Sequence, residues 1–348
     1  MSEQPQLIAA SPYPQPGDVL DSKYRVERLL GEGGMGAVAK ATHLVRRAPV
    51  ALKFMSPAVI ALQGAVDRFV NEGVAASQID SDHVVKVFDV GRLPSGAPYL
   101  VMEFLDGADL AQILERDGGR LPAPRAVHFT LQILRALQTA HAAGIIHRDM
   151  KPSNCFVIEK DGEPDFVKLV DFGISKVRSE EGGAPQANLT RTNSALGTPL
   201  YMSPEQARSA RDVHHRADLY SVGAILYELL SGRTPYTADS GQFTEILYKI
   251  FTTDPEPLRG LRPDVSEGLA AVVHRALARD PEQRYRSAVE MAEALEPFAD
   301  ERSQTLLSRL RGGRSRSLVP PRPGGVPTSV VPAAPSYGEA AMANTFPG

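Results

Sequence analysis

The run His147-Arg148-Asp149-Met150-Lys151-Pro152-Ser153-Asn154 sets an acid, a cation and an amide within one short stretch. An aspartate so placed can accept a proton from an attacking hydroxyl. Lys151 can offset negative charge on a group in transfer, and the side-chain oxygen of Asn154 can reach a metal. Seventeen residues beyond Asn154, Asp171-Phe172-Gly173 follows the apolar stretch Val167–Val170. A carboxylate at a strand end suits Mg2+, which is typically bound by one or two carboxylates together with phosphate oxygens. Asp171-Phe172-Gly173 alone could be an ordinary turn; chance rarely supplies both runs at this separation.

Two further segments add to the constellation. Gly31-Glu32-Gly33-Gly34-Met35-Gly36-Ala37-Val38 holds glycines at the spacing G-x-G-x-x-G. Without Cβ atoms, backbone N–H groups can approach phosphate oxygens closely. A dinucleotide fold uses the same spacing, but there the glycines open a helix. Here Ala37–His43 shows no helical stripe, so strand–loop–strand is expected. Twenty-two residues after Gly31, Val50-Ala51-Leu52-Lys53 places a lysine on an apolar strand, where it needs a counter-charge. A carboxylate or a polyphosphate could serve, and Glu72 is a candidate for the first: Phe69, Glu72 and Ala76 fall on one face of a helix, and an acid among core-facing residues suggests an inward salt bridge.

The elements that must position these groups change character along the chain. Tyr24–Leu30, Ala37–His43 and Pro49–Met55 read as strands, Ala65–Ile79 as a helix, and Val84–Val90 and Tyr99–Phe104 as strands. Helices dominate from Asp109 on. Ala123–Ala143 carries a stripe of Val127, Leu131, Leu134 and Leu137, Ala217–Leu230 is strongly apolar and reads as a buried helix, and Leu269–Ala278 and Ala288–Phe298 follow. The expected class is α+β, a small sheet domain before a larger helical one. Residues 1–22 read as a disordered Pro-rich arm, and residues 301–348 as a basic, then Pro/Gly/Ala-rich disordered tail.

Composition excludes several classes. With 43% hydrophobic residues the chain can bury a core, and a net charge of −3 offers no basic face for nucleic acid. Cys155 is the single cysteine, so no intrachain disulfide forms. No stretch approaches the roughly 18–20 apolar residues of a membrane span, and Met1–Pro16 lacks the pattern of a signal peptide. A cytoplasmic location is expected. The spacings around His141, His147, His214 and His215 are not those of a zinc site.

Taken in order, these segments resemble the protein kinase family, and within it the bacterial eukaryotic-like (Hanks-type) serine/threonine kinases. The match runs from about Tyr24 to Phe298. It includes Ser203-Pro204-Glu205 in place of the usual A-P-E, Asp218 as the buried aspartate of the central helix, and Arg284 as the partner of Glu205. Gly31–Gly36 and Tyr201-Met202-Ser203-Pro204-Glu205-Gln206-Ala207 look like the bacterial branch; Lys151 and Gly197-Thr198 resemble serine/threonine kinases and not tyrosine kinases.

The resemblance implies a bilobal kinase domain over 23–300, with an N-lobe at 23–102, a hinge at 103–109 and a C-lobe at 110–300. It implies ATP and Mg2+, with Mn2+ as a possible substitute, protein substrates, and a transient homodimer for trans-autophosphorylation. Asp149 would orient the substrate hydroxyl, Lys151 steady the γ-phosphate, and Asn154 and Asp171 carry metal. Lys53 would hold the α- and β-phosphates and pair with Glu72. Gly31, Glu32, Gly33, Gly34, Met35 and Gly36 would cover the phosphates. Val38, Ala51 and Phe156 would sandwich adenine beside Met102, with backbone groups of Glu103 and Leu105 bonding it and Asp109 near the ribose. Thr198 would bond Asp149. Thr190 and Thr192, beside Ser194, are the expected autophosphorylation sites, because Arg148 can meet a phosphate on that loop.

Three positions depart from the common pattern: Ala39 for tyrosine, Cys155-Phe156 for two aliphatics, and Gly73 beside Glu72. Phe156 narrows the adenine floor, and Cys155 reads as a buried filler. A helix-interior glycine costs about 1 kcal/mol relative to alanine. The expectation is therefore that Gly73 loosens the regulatory helix, and that Gly73→Ala raises basal activity. A pseudokinase scaffold would lack Lys53, Asp149, Asn154 or Asp171, and all four are present. A small-molecule phosphotransferase would usually lack the A-P-E segment and Gly197-Thr198, and a dinucleotide oxidoreductase rests on the glycine run alone.

Overall fold

The computed structural model describes residues 11–172, 199–209, 213–238, 240 and 242–312. Gly173, Thr190, Thr192, Ser194, Gly197 and Thr198 lie outside the described residues, as do 1–10 and 313–348.

The first lobe is a six-stranded antiparallel sheet in the order β1-β2-β3-β4-β6-β5. Its strands are β1 (Val19–Leu20), β2 (Tyr24–Gly33), β3 (Gly36–His43), β4 (Ala48–Met55), β5 (Val87–Arg92) and β6 (Pro98–Glu103). The glycine run is a hairpin tip, with Gly33 opposite Gly36 across β2 and β3. Alternation along β4 sends Val50, Leu52 and Phe54 to one face, where they form a core with Tyr24, Val26 and Tyr99. Ala51 and Met55 go to the other face, under α2 (Ala65–Ser77), which follows the single turn α1 (Pro57–Ile60).

Helices build the second lobe: α3 (Leu110–Arg116), α4 (Ala123–Ala142), α5 (Pro204–Arg208), α6 (Arg216–Ser231), α7 (Phe243–Thr252), α8 (Leu258–Leu261), α9 (Glu267–Ala276), α10 (Ala288–Leu295) and α11 (Glu301–Gly312). An apolar helix can be stable in water only when covered on all sides, and α6 is buried from Ala217 through Tyr227. Gly223 lets it approach α9, since a Cβ there would sit 2.6 Å from that of Ala276. Gly232, at φ +78°, ends the helix with its N–H on Glu228 O. A small sheet of β7 (Gly107–Asp109), β8 (Cys155–Lys160) and β9 (Glu163–Leu169) lies on the cleft side of this lobe. The segment expected as hinge, 103–109, thus ends inside the second lobe's sheet. Sequence patterning did not reveal α7, β7 or the pairing of β8 with β9.

Both terminal expectations need correction where they are described. Residues 11–22 are not a loose arm: Tyr13 and Leu20 are buried in the first lobe's core, Gly17 N–H donates to Val26 O, and Val26 N–H to Asp18 O. Prolines keep the segment extended, the conformation needed to run along a sheet. Nor is the tail disordered from residue 301. Leu307 and Leu310, three apart on α11, insert into the core against α4, and Gln138 Nε2 donates to Leu310 O at 3.1 Å.

Candidate active site

Lys53 lies on the face of β4 turned to α2. Its Nζ is 3.1 Å from Glu72 Oε1 and 2.8 Å from Asp171 Oδ1. Burial alone would lower the ammonium's pKa, but the carboxylates of Asp171 and Glu72 outweigh it and hold the pKa above the ordinary lysine value. Glu72 reaches inward because it shares the buried side of α2 with Phe69, Gly73 and Ala76.

Gly73 has a different meaning from the one expected. A Cβ there would lie 2.6 Å from Leu100 Cδ2, on β6. The glycine lets α2 sit against the sheet at the distance where Glu72 meets Lys53. A methyl there would have to displace the end of Leu100, so the packing predicts that Gly73→Ala lowers activity and does not raise it. Helix propensity was legible in the sequence; the neighbour across the packing interface was not.

The second group gathers at the turn Pro152–Asn154. Asp149 Oδ2 accepts from Lys151 Nζ at 3.0 Å and from Asn154 Nδ2 at 3.2 Å, and Asn154 Nδ2 also donates to Asp149 O at 2.8 Å. Backbone of β9's end joins this group to the first. Val170 N–H donates to Asn154 O at 3.0 Å, and Val170 O lies 3.1 Å from His147 Nε2. His147 Nδ1 accepts from Asp149 N–H, so the ring carries its proton on Nε2. Burial lowers its pKa and keeps it neutral.

Asp218, on α6, holds this loop from below. Its carboxylate accepts the backbone N–H groups of His147 (2.9 Å) and Arg148 (2.8 Å), and His141 Nε2 is 2.8 Å away. Burial would raise its pKa, but the bonds from His141 and the nearby His147 hold it below the usual aspartate value. The clamp matters because Arg148 stands at φ +65°, a conformation that costs a non-glycine residue about 1–3 kcal/mol. Gln206 Nε2 adds a bond to Arg148 O at 2.8 Å, from a helix start built as a capping box with Ser203. Next to it, Glu205 and Arg284 form a bidentate pair at 2.7 and 2.8 Å.

Around the cleft, Val38, Ala51, Met102, Leu105 and Val170 share one apolar cluster. Phe156 is half-buried on β8, opposite Asp109 and Lys168. Asp109 caps α3 by accepting from Gln112 N–H. Cβ atoms at Gly31 or Gly33 would meet nothing within 4 Å, so the protein's own packing does not require glycine there. Gly36 is needed by the fold, since a Cβ would fall 1.8 Å from Phe54 O. Between them, Glu32, Gly34 and Met35 are exposed, and Ser56 ties the tip down through Gly34 O and Met35 O. Cys155 is fully buried, and burial pushes its thiol pKa up. No group of three or more His, Cys, Asp or Glu side chains among the described residues could hold a metal.

Three functional contacts escaped sequence reasoning. In the sequence His141 stands out only among neighbouring histidines, Gln206 ends an S-x-x-Q capping-box pattern, and Lys168 sits in an apolar strand with no spacing that singles out its counter-charge. The structure gives Lys168 the carboxylate of Glu103 at 2.7 Å.

The chain belongs to the protein kinase family: residues 24–296 match the protein kinase domain. Within it, the chain falls among the bacterial eukaryotic-like serine/threonine kinases. It is 40% identical over 309 residues to the serine/threonine-protein kinase pkn3 of Myxococcus xanthus, covering 88% of this chain and 55% of that one. It is 38% identical over 312 residues to PknH of Mycobacterium tuberculosis, covering 89% and 47%. The chain thus spans about half the length of these curated relatives. The crystal structure of a double mutant of the Mycobacterium tuberculosis PknI kinase domain superposes with a TM-score of 0.65 at 28% identity, over 83% of this chain and 100% of that one.

Proposed function

We propose that this chain transfers the γ-phosphoryl group of Mg2+-bound ATP to serine or threonine hydroxyls of protein substrates. The observation that carries the reading is the backbone of Val170, which bonds Asn154 and His147 and delivers Asp171 to Lys53, the lysine that also pairs with Glu72. Asp149 takes the proton of the acceptor hydroxyl as its oxygen attacks the γ-phosphorus, and the bond to the β–γ bridging oxygen breaks to release ADP. Lys151, held on Asp149, offsets charge on the group in transfer. Lys53 holds the α- and β-phosphates at the end of its ion-pair chain, under backbone N–H groups of Gly31–Gly36.

The donors at the metal position fit Mg2+. Asn154 commits its amide nitrogen to Asp149, which leaves an amide oxygen, and Asp171 adds a carboxylate, both hard ligands. The metal would neutralise phosphate charge there.

Activation by autophosphorylation belongs to the same proposal. Arg148 Nη1 is buried without a hydrogen-bond partner among the described residues. A phosphate on Thr190 or Thr192 would supply one through charge-assisted bonds. Pairing of two copies for that step and a cytoplasmic setting complete the reading. No helix among the described residues is long and apolar enough to cross a membrane.

Purified protein with Mg2+, labelled ATP and a serine/threonine peptide library tests the reading, with Asp149→Asn as control. Phosphate incorporation surviving that substitution counts against it, and phosphosite mapping that finds 173–198 unmodified removes the activation step.

A further inference from the structure

We infer that Lys168 and Glu103 form a strut between the lobes that positions the adenine-binding hinge, making Lys168 a positioning residue for ATP. The inference rests on the ATP-dependent reading above and extends it to a residue outside the site assigned there. Lys168 is 3% exposed, and its Nζ lies 2.7 Å from Glu103 Oε2. A charge so deeply buried must be paired, and removing one partner is far more costly than a surface pair would suggest. The two residues belong to opposite lobes: Lys168 to β9, three residues before Asp171, and Glu103 to the end of β6, immediately after Met102.

Strand geometry explains the reach. Lys168 and Val170 are two apart and so share a face of the chain, and Val170 packs into the cluster of Ala51, Met102 and Leu105. Lys168 pairs with Phe156 across the ladder of β8 and β9, so the two side chains share a face of the small sheet. Glu103 is fixed at several atoms. Its N–H donates to Lys86 O at 2.9 Å, and its Oε2 accepts from Lys86 N–H at 3.4 Å as well as from Lys168. With the N–H committed, the carbonyl is what Glu103 has left to offer adenine. The next residue is held too, since Lys40 of β3 lies 4.9 Å from the centre of the Phe104 ring. One lysine from each lobe therefore grips consecutive hinge residues.

Lys168→Met keeps the length and removes the charge. Its dissociation constant for Mg-ATP, measured by titration calorimetry, should rise about tenfold, the change that follows from a modest hinge displacement. kcat at saturating ATP and KM for peptide should stay within twofold. Glu103→Gln, whose carboxylate is partly solvated, is the second variant and should weaken ATP similarly; the double variant should bind no worse than the weaker single one. Melting temperatures are read on all four proteins. An ATP affinity within twofold of wild type in both singles, with or without a lower melting temperature, overturns the inference and leaves a purely structural pair. Wild-type protein that bound no Mg-ATP would instead refute the kinase reading on which it rests.

Discussion

Gly73→Ala separates the packing argument from the propensity argument. Ordinary contact begins at 3.4 Å and the new methyl would start 2.6 Å from Leu100 Cδ2, so α2 and β6 must part by most of an ångström unless Leu100 turns away. Leu100 is buried among Ala51, Phe69 and Met102, which leaves it little room. Overpacking of this kind costs about 1–3 kcal/mol, against about 1 kcal/mol gained from helix propensity. Stability should therefore change little or fall by up to about 2 kcal/mol. Activity should respond more. A shift of that size stretches the 3.1 Å Lys53–Glu72 contact to about 4 Å, the outer limit of an ion pair. Losing about 1.4 kcal/mol of phosphate positioning lowers kcat/KM roughly tenfold. Steady-state kinetics with a peptide substrate, alongside thermal melts, provide the assay. Leu100→Val in the same chain opens the space and should recover most of the rate. A faster Gly73→Ala enzyme with an unchanged or raised melting temperature would refute the packing argument and restore the loosened-helix expectation.

Three other outcomes are expected. Asp218→Asn leaves a single amide oxygen for the N–H groups that the carboxylate now accepts, so kcat should fall about 10²-fold with far less effect on ATP binding, measured by kinetics and calorimetry. Glu205 has its pKa lowered in the fold, as Arg284 and backbone bonds outweigh burial; its stabilisation is complete above the unfolded value of 4.5 and is lost as pH falls through the lower folded value. Melts from pH 7 to pH 3 should show Glu205→Gln less stable at neutral pH and less sensitive to acid below pH 4.5. Leu310→Ala should cost about 2–5 kcal/mol in a denaturant titration, a loss that a substitution in a loose tail would not produce.

How much of the site was legible depended on whether its parts were local. Asp149, Lys151 and Asn154 lie within one turn of chain, so their spacing reports their geometry, and the structure bonds all three together. Lys53 and Glu72 were recognisable as buried charges in need of partners, which is a local property of a strand and a helix face. Their convergence with Asp171 is a distant contact that pattern alone could suggest only through family resemblance. The roles of His141, Gln206 and Lys168 were harder to read, because each bonds a residue from another element: Asp218, Arg148 and Glu103.

The termini and Gly73 mark the boundary most clearly. Proline content and basic charge describe what residues 11–22 and 301–312 prefer in isolation, and both segments prefer little. Their order comes from apolar faces elsewhere, the outer side of the first sheet and the flank of α4, that need Tyr13, Leu307 and Leu310 to cover them. By itself the sequence determined the family, the alternation of strands and helices, and the groups able to do chemistry, since these follow from residue type and short-range spacing. Only the tertiary structure decided which charges meet, where the domain's ordered residues extend, and whether a glycine loosens a helix or lets it press against its sheet. Those are properties of the partner across an interface, and the sequence does not place that partner beside them.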